Sequence, residues 1–407
     1  MLGKRQLVTD SALTLAVLSA LLLIAARPAQ TQTEKVLYNF TGGTDGGNPY
    51  SRLTSDSAGN FYGTTFYGGF GLGTVFELSP NGSGGWNETV LYNFCSAPGC
   101  VDGAYPTYSY VTFDNKGNLY GTANQGGANG YGVVFELSRA GASWTETVLY
   151  NFGLAHGGVD PVNGLIMDSK GNLYGTTEYD VSGGIPGTVF ELSTSGGGWT
   201  EQVIYDNADI YYGGLTMDAA GDIFGTTLST AFELLPNGKG GWNPTVIHTF
   251  RGRGTILVDG SRPDGTPVLD QAGNLYGTTY YGGANGYGTV YRLSPGRTGW
   301  TEKILYSFGG GPKGDGSYPF AGIVFDATGN IYGTTVDGGQ FGSAGTVYEL
   351  AAPLGKGSYR ERVLWSFNDT DGFEPYGSLI LDSAGNLFGA TADGGSSNRG
   401  VVFEMTP

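Results

Sequence analysis

From residue 36 onward, short apolar runs rich in Val, Ile, Leu, Tyr, Phe and Thr alternate with breaks rich in Gly, Asn and Asp, and no run carries a helical period. One phrase returns seven times: "DSAGNFYGTT", "DNKGNLYGTA", "DSKGNLYGTT", "DAAGDIFGTT", "DQAGNLYGTT", "DATGNIYGTT" and "DSAGNLFGAT". Its leading residues are Asp56, Asp114, Asp168, Asp218, Asp270, Asp326 and Asp382, at intervals of 50 to 58 residues. That spacing is one supersecondary unit per repeat. In the third unit "GLIMD", "LYGTT", "GTVFELS" and "TEQVIY" predict four strands, here a to d, separated by turn signals. The Asp of D-x-x-G caps the a-to-b turn through its backbone, and the Gly supplies the left-handed residue. Several strands are apolar on both faces, as sheets buried between two neighbours must be.

The ends of the chain decide between an open stack and a closed ring. "VLYNF" at residues 36–40 matches strand d of other units ("VLYNF" again at 90–94), whereas the chain stops at "GVVFEMTP", a strand c with no strand d after it. The first strand therefore supplies the missing last one, which removes exposed sheet edges. The predicted fold is all-β: a seven-bladed β-propeller of four-stranded antiparallel blades, one domain over residues 32–407, closed by the N-terminal strand.

The phrase D-x-x-G-N-[LF]-Y-G-T-T, "GTVFELSP", the Gly-rich turn with Trp and "TVLYNF" together resemble the GloVer tandem repeat of bacterial exported choice-of-anchor proteins. The resemblance covers nearly all of the chain after the leader. It implies propeller-like repeats, a secreted or surface address and variable anchoring, with no established activity. The chain departs from the anchored members in having neither a sorting motif nor an apolar tail after Pro407, so the expectation is a freely exported form.

Residues 1–31 fit that address. Lys4 and Arg5 precede an apolar stretch from Ala12 to Ala26, too short for a membrane span, followed by Arg27 and Pro28. A secretory signal peptide is expected, cleaved near Ala29-Gln30-Thr31, with no membrane span remaining. In an oxidising compartment Cys95 and Cys100, with Pro98 and Gly99 between them, are expected to form a loop-closing disulfide. Composition narrows the partners further. The 407 residues include 75 Gly and carry a formal charge of -16, which sets the surface against nucleic acid and anionic lipid.

Candidate chemistry sorts by face. The a-to-b turns, with their seven Asp residues, lie on one side and are structural. The d-to-a and b-to-c connections share the other. Five d-to-a connections read D-G-x-x-P, placing Asp45, Asp102, Asp259, Asp315 and Asp371 in a ring. They are either turn residues or weak cation ligands; no motif requires a cofactor, and calcium is the ion such a ring would take. The b-to-c loops carry Phe66, Tyr67, Phe70, Tyr280, Tyr281 and Tyr287, with amides beside several of them, a combination that suits sugar rings. Blade 4 lacks both the Gly-Gly b-to-c loop and the D-G-x-x-P connection, which predicts a low rim there. Around it stand Tyr211, Tyr212, His248, Arg251, Arg253 and Arg262, with arginine forks able to meet carboxylates or sulfates of an acidic glycan.

Other recurrences read as scaffold: Glu77, Glu136, Glu191, Glu233, Glu349 and Glu404 in strand c, where the fifth unit has Arg292, and Trp86, Trp144, Trp199, Trp242 and Trp300 before strand d. No G-x-S-x-G, H-E-x-x-H or Walker motif is present, and no catalytic residue is assigned. The resulting expectation is a monomeric, exported binding or scaffold propeller for an extracellular polysaccharide or a cell-envelope protein. A carboxylate-dependent polysaccharide hydrolase or lyase, or a purely architectural surface protein, is the alternative.

Overall fold

The computed structural model describes residues 32–406, apart from 142, 155–156, 181–186, 211, 253–258, 311–313, 354 and 356. The leader expected over residues 1–31 lies outside the described residues, as do Tyr211 and Arg253.

Among the described residues, seven four-stranded antiparallel sheets form the blades, and in six of them the strands follow chain order from a to d. In the seventh, Ile380–Leu381, Leu387–Thr391 and Val401–Thr406 are joined by Thr33–Asn39, from the other end of the chain. Val36 pairs with Phe403 and Asn39 with Val401, so the N-terminal strand completes the last blade as the repeat pattern predicts. The fold is a seven-bladed β-propeller.

The repeated phrase has a physical reason at each position. Asp56 Oδ1 accepts from the amides of Ala58 and Asn60, while Oδ2 accepts from the Asn60 side chain and the Tyr62 hydroxyl. Asp, Asn and Tyr at that spacing are thus one hydrogen-bonded cap. Blade 4 has Asp222 where the others carry Asn, and its Phe224, like Phe388 in blade 7, has no hydroxyl to donate, so Asp218 keeps only its two amide bonds. The Gly of "FYGTT" is required by the ring of strand c: a Cβ on Gly63 would stand 2.6 Å from Phe76 Cζ.

Seven apolar clusters fill the seven junctions between blades. Leu37 and Phe40 meet Phe61, Phe76 and Phe388 at the junction that closes the ring, and Tyr62, Val75, Leu91 and Phe94 meet Val111, Leu119 and Phe135 at the next. The last aromatic of strand d reaches into the following blade, edge-on to its strand c ring, as in Phe40–Phe76, Phe94–Phe135 and Phe367–Phe403. Trp86, Trp144, Trp199, Trp242 and Trp300 cover the outer margins of these clusters. Three strand c glutamates are hydrogen-bonded: Tyr120 donates to Glu136 and Arg362 to Glu349 within their own blades, and Trp242 of blade 4 donates to Glu191 of blade 3.

Candidate functional site

The d-to-a and b-to-c connections do share one face, because they pair with each other. Gly47 bridges Tyr67, Ala104 bridges Gln125, and Gly260–Ser261 forms a small ribbon with Tyr281–Gly282. On this face the first residues of the inner segments point at the axis. Tyr50, Tyr108, Tyr212, Phe320 and Tyr376 close it as an aromatic cluster, with ring centroids 4.8 Å apart for Tyr108 and Tyr212 and 5.1 Å for Phe320 and Tyr376. The void left among them is about 30 Å³, room for water and not for a sugar ring. Tyr212 therefore belongs to the axial plug and not to a rim at blade 4.

Rings continue outward from the plug in two directions. Tyr50 touches Phe66, which touches Tyr67 and Tyr105. On the other side Phe320 touches Tyr280, which stacks on Tyr318 at 5.0 Å, and Tyr318 meets Tyr281 and Tyr287 edge-on. The result is an unbroken line of aromatic contacts from blade 1, across the axis, to blade 5. Its ends are open to solvent: Tyr67 is 42% exposed, Tyr281 42% and Tyr287 37%. Arg262 lies over Tyr280 and Tyr281 and pairs with the deeply buried Asp264 at 2.7 Å. Burial pushes the Asp264 carboxyl up to about 6 even against this guanidinium.

The residues expected to act together thus divide. Tyr280, Tyr281, Tyr287 and Arg262 converge. Arg251 is exposed with its amide donating to Asp259, and His248 sits in strand d of blade 4 (Trp242–Thr249). The b-to-c segment of blade 4 is the tight turn its sequence implies, closed by the Thr227 amide on the Thr230 carbonyl.

The five Asp of D-G-x-x-P do not converge on one point; each serves its own junction. Asp45 accepts from the Tyr38 hydroxyl and the Thr41 amide, Asp102 from the Tyr92 hydroxyl and the Ser96 amide, Asp315 from the Tyr306 hydroxyl and the Gly309 amide, and Asp371 from Trp365 Nε1 and the Asn368 amide. Asp259 accepts from the Arg251 amide, and the strand d residue beside it is His248. Opposite each Asp stands a glutamate of the following blade's strand d. Burial, and then the charge of the facing Asp, pushes Glu34, Glu88, Glu146 and Glu361 up to about 7. In the same way Glu302, facing Asp259, is pushed up to about 8. These glutamates were missed by the sequence reading. For three of them a signal was there, a Glu two residues after Trp86, Trp144 and Trp300, but in an outer strand it reads as solvent-facing alternation.

A family model described as the Gloeobacter/Verrucomicrobia repeat matches residues 23–232 and 227–407, which spans the propeller. The chain belongs to the Gloeobacter/Verrucomicrobia repeat family. No curated protein matches it in sequence. Among solved structures, this family member is similar to virginiamycin B lyase from Staphylococcus aureus, with 15% identity, a TM-score of 0.54, and coverage of 92% of this chain and 99% of the lyase. The catalytically inactive variant of that lyase with quinupristin gives a TM-score of 0.52 at 15% identity, with the same coverage. Likeness at this identity shows the fold alone. Within the repeat family's scaffold, Cys95 and Cys100 are disulfide-bonded around a single 3-10 turn, Pro98–Cys100. No helix among the described residues is long and apolar enough to cross a membrane.

Proposed function

We propose that the protein is an exported propeller that binds an extracellular polysaccharide lengthwise along the aromatic line of its loop face. The observation that carries this reading is the continuity of Tyr67, Phe66, Tyr50, Tyr108, Phe320, Tyr280, Tyr318 and Tyr287 through successive ring contacts. Pyranose rings offer apolar C–H faces edged with hydroxyls, which aromatic faces match, and a closed axis leaves the surface as the place for a chain-like ligand. Arg262, held by Asp264 over two of the rings, adds a cation for carboxylated or sulfated units. The apolar leader at residues 12–26 and the Cys95–Cys100 disulfide support the export half of the proposal.

The test is a thermal-shift and affinity-electrophoresis panel of neutral and acidic polysaccharides. A binding polymer must raise the melting midpoint with its concentration. Tyr281→Ala and Tyr287→Ala should each weaken it by about fivefold, from the loss of one stacking contact of about 1 kcal/mol. New reducing or unsaturated ends would move the reading to a hydrolase or lyase. Polysaccharide binding that survives both tyrosine substitutions together would exclude this surface.

A further inference from the structure

We infer that His248, Asp259 and Glu302 form a binding site for one divalent transition cation of the Zn²⁺ class, which fastens blade 4 to blade 5. His248 comes from strand d of blade 4, Asp259 from the connection that follows, and Glu302 from strand d of blade 5, Gly299–Ser307. His248 Nε2 lies 3.7 Å from Asp259 Oδ1 and 3.6 Å from Glu302 Oε1, and ligand atoms of all three fall within 4.8 Å of one another.

Those separations are too long for hydrogen bonds. They are close to what a tetrahedral ion requires, since ligands at about 2.0–2.1 Å from zinc stand about 3.3 Å from each other. A contraction of a few tenths of an ångström would complete three corners and leave the fourth to water.

A second observation is independent of the distances. His248 Nε2, Asp259 Oδ1 and Glu302 Oε1 are each shut off from solvent and have no hydrogen-bond partner among the described residues. Partnerless carboxyl oxygens recur at other junctions, as at Asp102 Oδ1 with Glu146 Oε1 and Asp315 Oδ1 with Glu361 Oε1, so the atom particular to this junction is His248 Nε2, a buried nitrogen facing two carboxyls that is costly unless something joins it to them.

The other junctions show what is particular here. Tyr38, Tyr92, Tyr150, Tyr205 and Tyr306, or Trp365, occupy the strand d position of His248. At the junctions with a loop Asp, that aromatic donates to it: Tyr38 to Asp45, Tyr92 to Asp102, Tyr306 to Asp315 and Trp365 to Asp371. Only at this junction is the donor replaced by an imidazole, whose ring is set edge-on against Phe250 at 4.7 Å with Nε2 toward both carboxylates. One nitrogen with two carboxylate oxygens suits zinc and its neighbours, whereas calcium and magnesium prefer oxygen alone.

The experiment is equilibrium dialysis of the untagged full chain against Zn²⁺, with metal counted per chain, alongside the melting midpoint with and without the ion. One equivalent is expected, with a midpoint that rises as Zn²⁺ rises. His248→Tyr installs the residue that most other blades use, so it preserves the fold, and Glu302→Gln is a second, isosteric variant. Each should weaken Zn²⁺ binding by about 100-fold or more, since even substitutions behind a ligand cost up to that, and each should abolish the thermal shift. In the Co²⁺ form, the visible absorption of a four-coordinate ion should appear in the parent and be lost in both variants. Failure to retain zinc, or retention with unchanged affinity in His248→Tyr or Glu302→Gln, overturns the proposal, because zinc would then be absent or held elsewhere on the acidic surface.

Discussion

Pro49 rests against Gly400, two residues at opposite ends of the chain, so closely that a Cβ on Gly400 would stand 2.7 Å from Pro49 Cδ. The same contact recurs between Pro106 and Gly73, Pro319 and Gly288, and Pro375 and Gly345. Four of the five D-G-x-x-P prolines thus dock on the glycine that leads into strand c of the preceding blade, Pro49 across the ring closure, whereas Pro263 follows blade 4, which has no glycine there. Gly400 also has φ +88, in the left-handed region. Gly400→Ala should therefore cost about 2 kcal/mol or more, combining backbone strain with a Cβ that would crowd both the Thr391 carbonyl oxygen and Pro49 Cδ. Gly385→Ala is the control: φ is +93 but a Cβ there meets nothing, so only the strain of about 1 kcal/mol should appear. Urea melts of the two variants measure the difference, and equal losses would mean that the close packing of Gly400 on Thr391 and Pro49 contributes nothing.

The carboxyl pairs at the junctions set an unusual pH dependence. Glu34, Glu88, Glu146 and Glu361 are raised from 4.5 to about 7 in the fold, so the folded state holds protons that the unfolded chain releases. Stability from these groups is fully present below about pH 4.5 and is lost as pH rises through 7. Asp56, Asp114, Asp270 and Asp326 are shifted the other way by their turn hydrogen bonds, so their contribution is lost only as pH falls below the usual carboxylate range. The melting midpoint, measured by calorimetry with chelator present, should be highest near pH 5 and fall toward pH 8. Relief of net negative charge acts in the same direction, so the decisive variant is Glu146→Gln, which should flatten the slope between pH 5 and 8. A midpoint that climbs steadily to pH 8 would contradict the assignment.

How far these relationships could be read in advance depended on whether they were local. The D-x-x-G cap involves Asp56, Asn60 and Tyr62 within one turn, and ring closure is written in the duplicate "VLYNF", so blade number and topology were legible. The junction carboxyls were half legible. Asp102 announced itself in D-G-x-x-P, but its partner Glu146 lies in the next blade's outer strand, and only packing of one blade on another turns that position inward. Arg262 was expected beside blade 4 with Arg251. It is instead drawn toward the axis by Asp264, a residue with no repeat counterpart to flag it. Tyr318 joins the aromatic line from the d-to-a connection after blade 5, outside the b-to-c loops and the blade 4 connection where the sequence points to aromatics.

Two tyrosines mark a place where the scaffold is not at its optimum. Tyr291 and Tyr348 fill the strand c position that is Phe in the other five blades, and both are fully buried with hydroxyls that have no hydrogen-bond partner among the described residues. A buried hydroxyl without a partner costs its hydration. Tyr348→Phe should leave the fold unchanged and be neutral to about 1 kcal/mol more stable, and Phe76→Tyr should destabilise by a similar amount. Denaturant midpoints with unchanged m-values test both, and a marked loss of stability in Tyr348→Phe would show that the hydroxyl is bonded after all.

The N-terminal strand should behave as a separable closure. Thr33–Asn39 pairs with Val401–Thr406 along its length, the Phe40 amide donates to the Gly400 carbonyl, and Ser396 donates to Asn39 Oδ1. Phe40 is wholly buried against Phe76 in blade 1, so this one segment both completes blade 7 and seals it to its neighbour. Phe40→Ala should cost about 3–5 kcal/mol, the price of a large core cavity. Deleting residues 33–40 does more, because it leaves Val401–Thr406 as an unpaired edge beside an open apolar junction, a template for pairing between chains. The truncated chain should therefore dimerise or aggregate, and a peptide of residues 32–41 added in trans should restore the monomer and its cooperative melt. The same peptide carrying Phe40→Ala should rescue far less. A truncated chain that stays monomeric and melts like the parent would mean that six complete blades close the ring without their velcro strand.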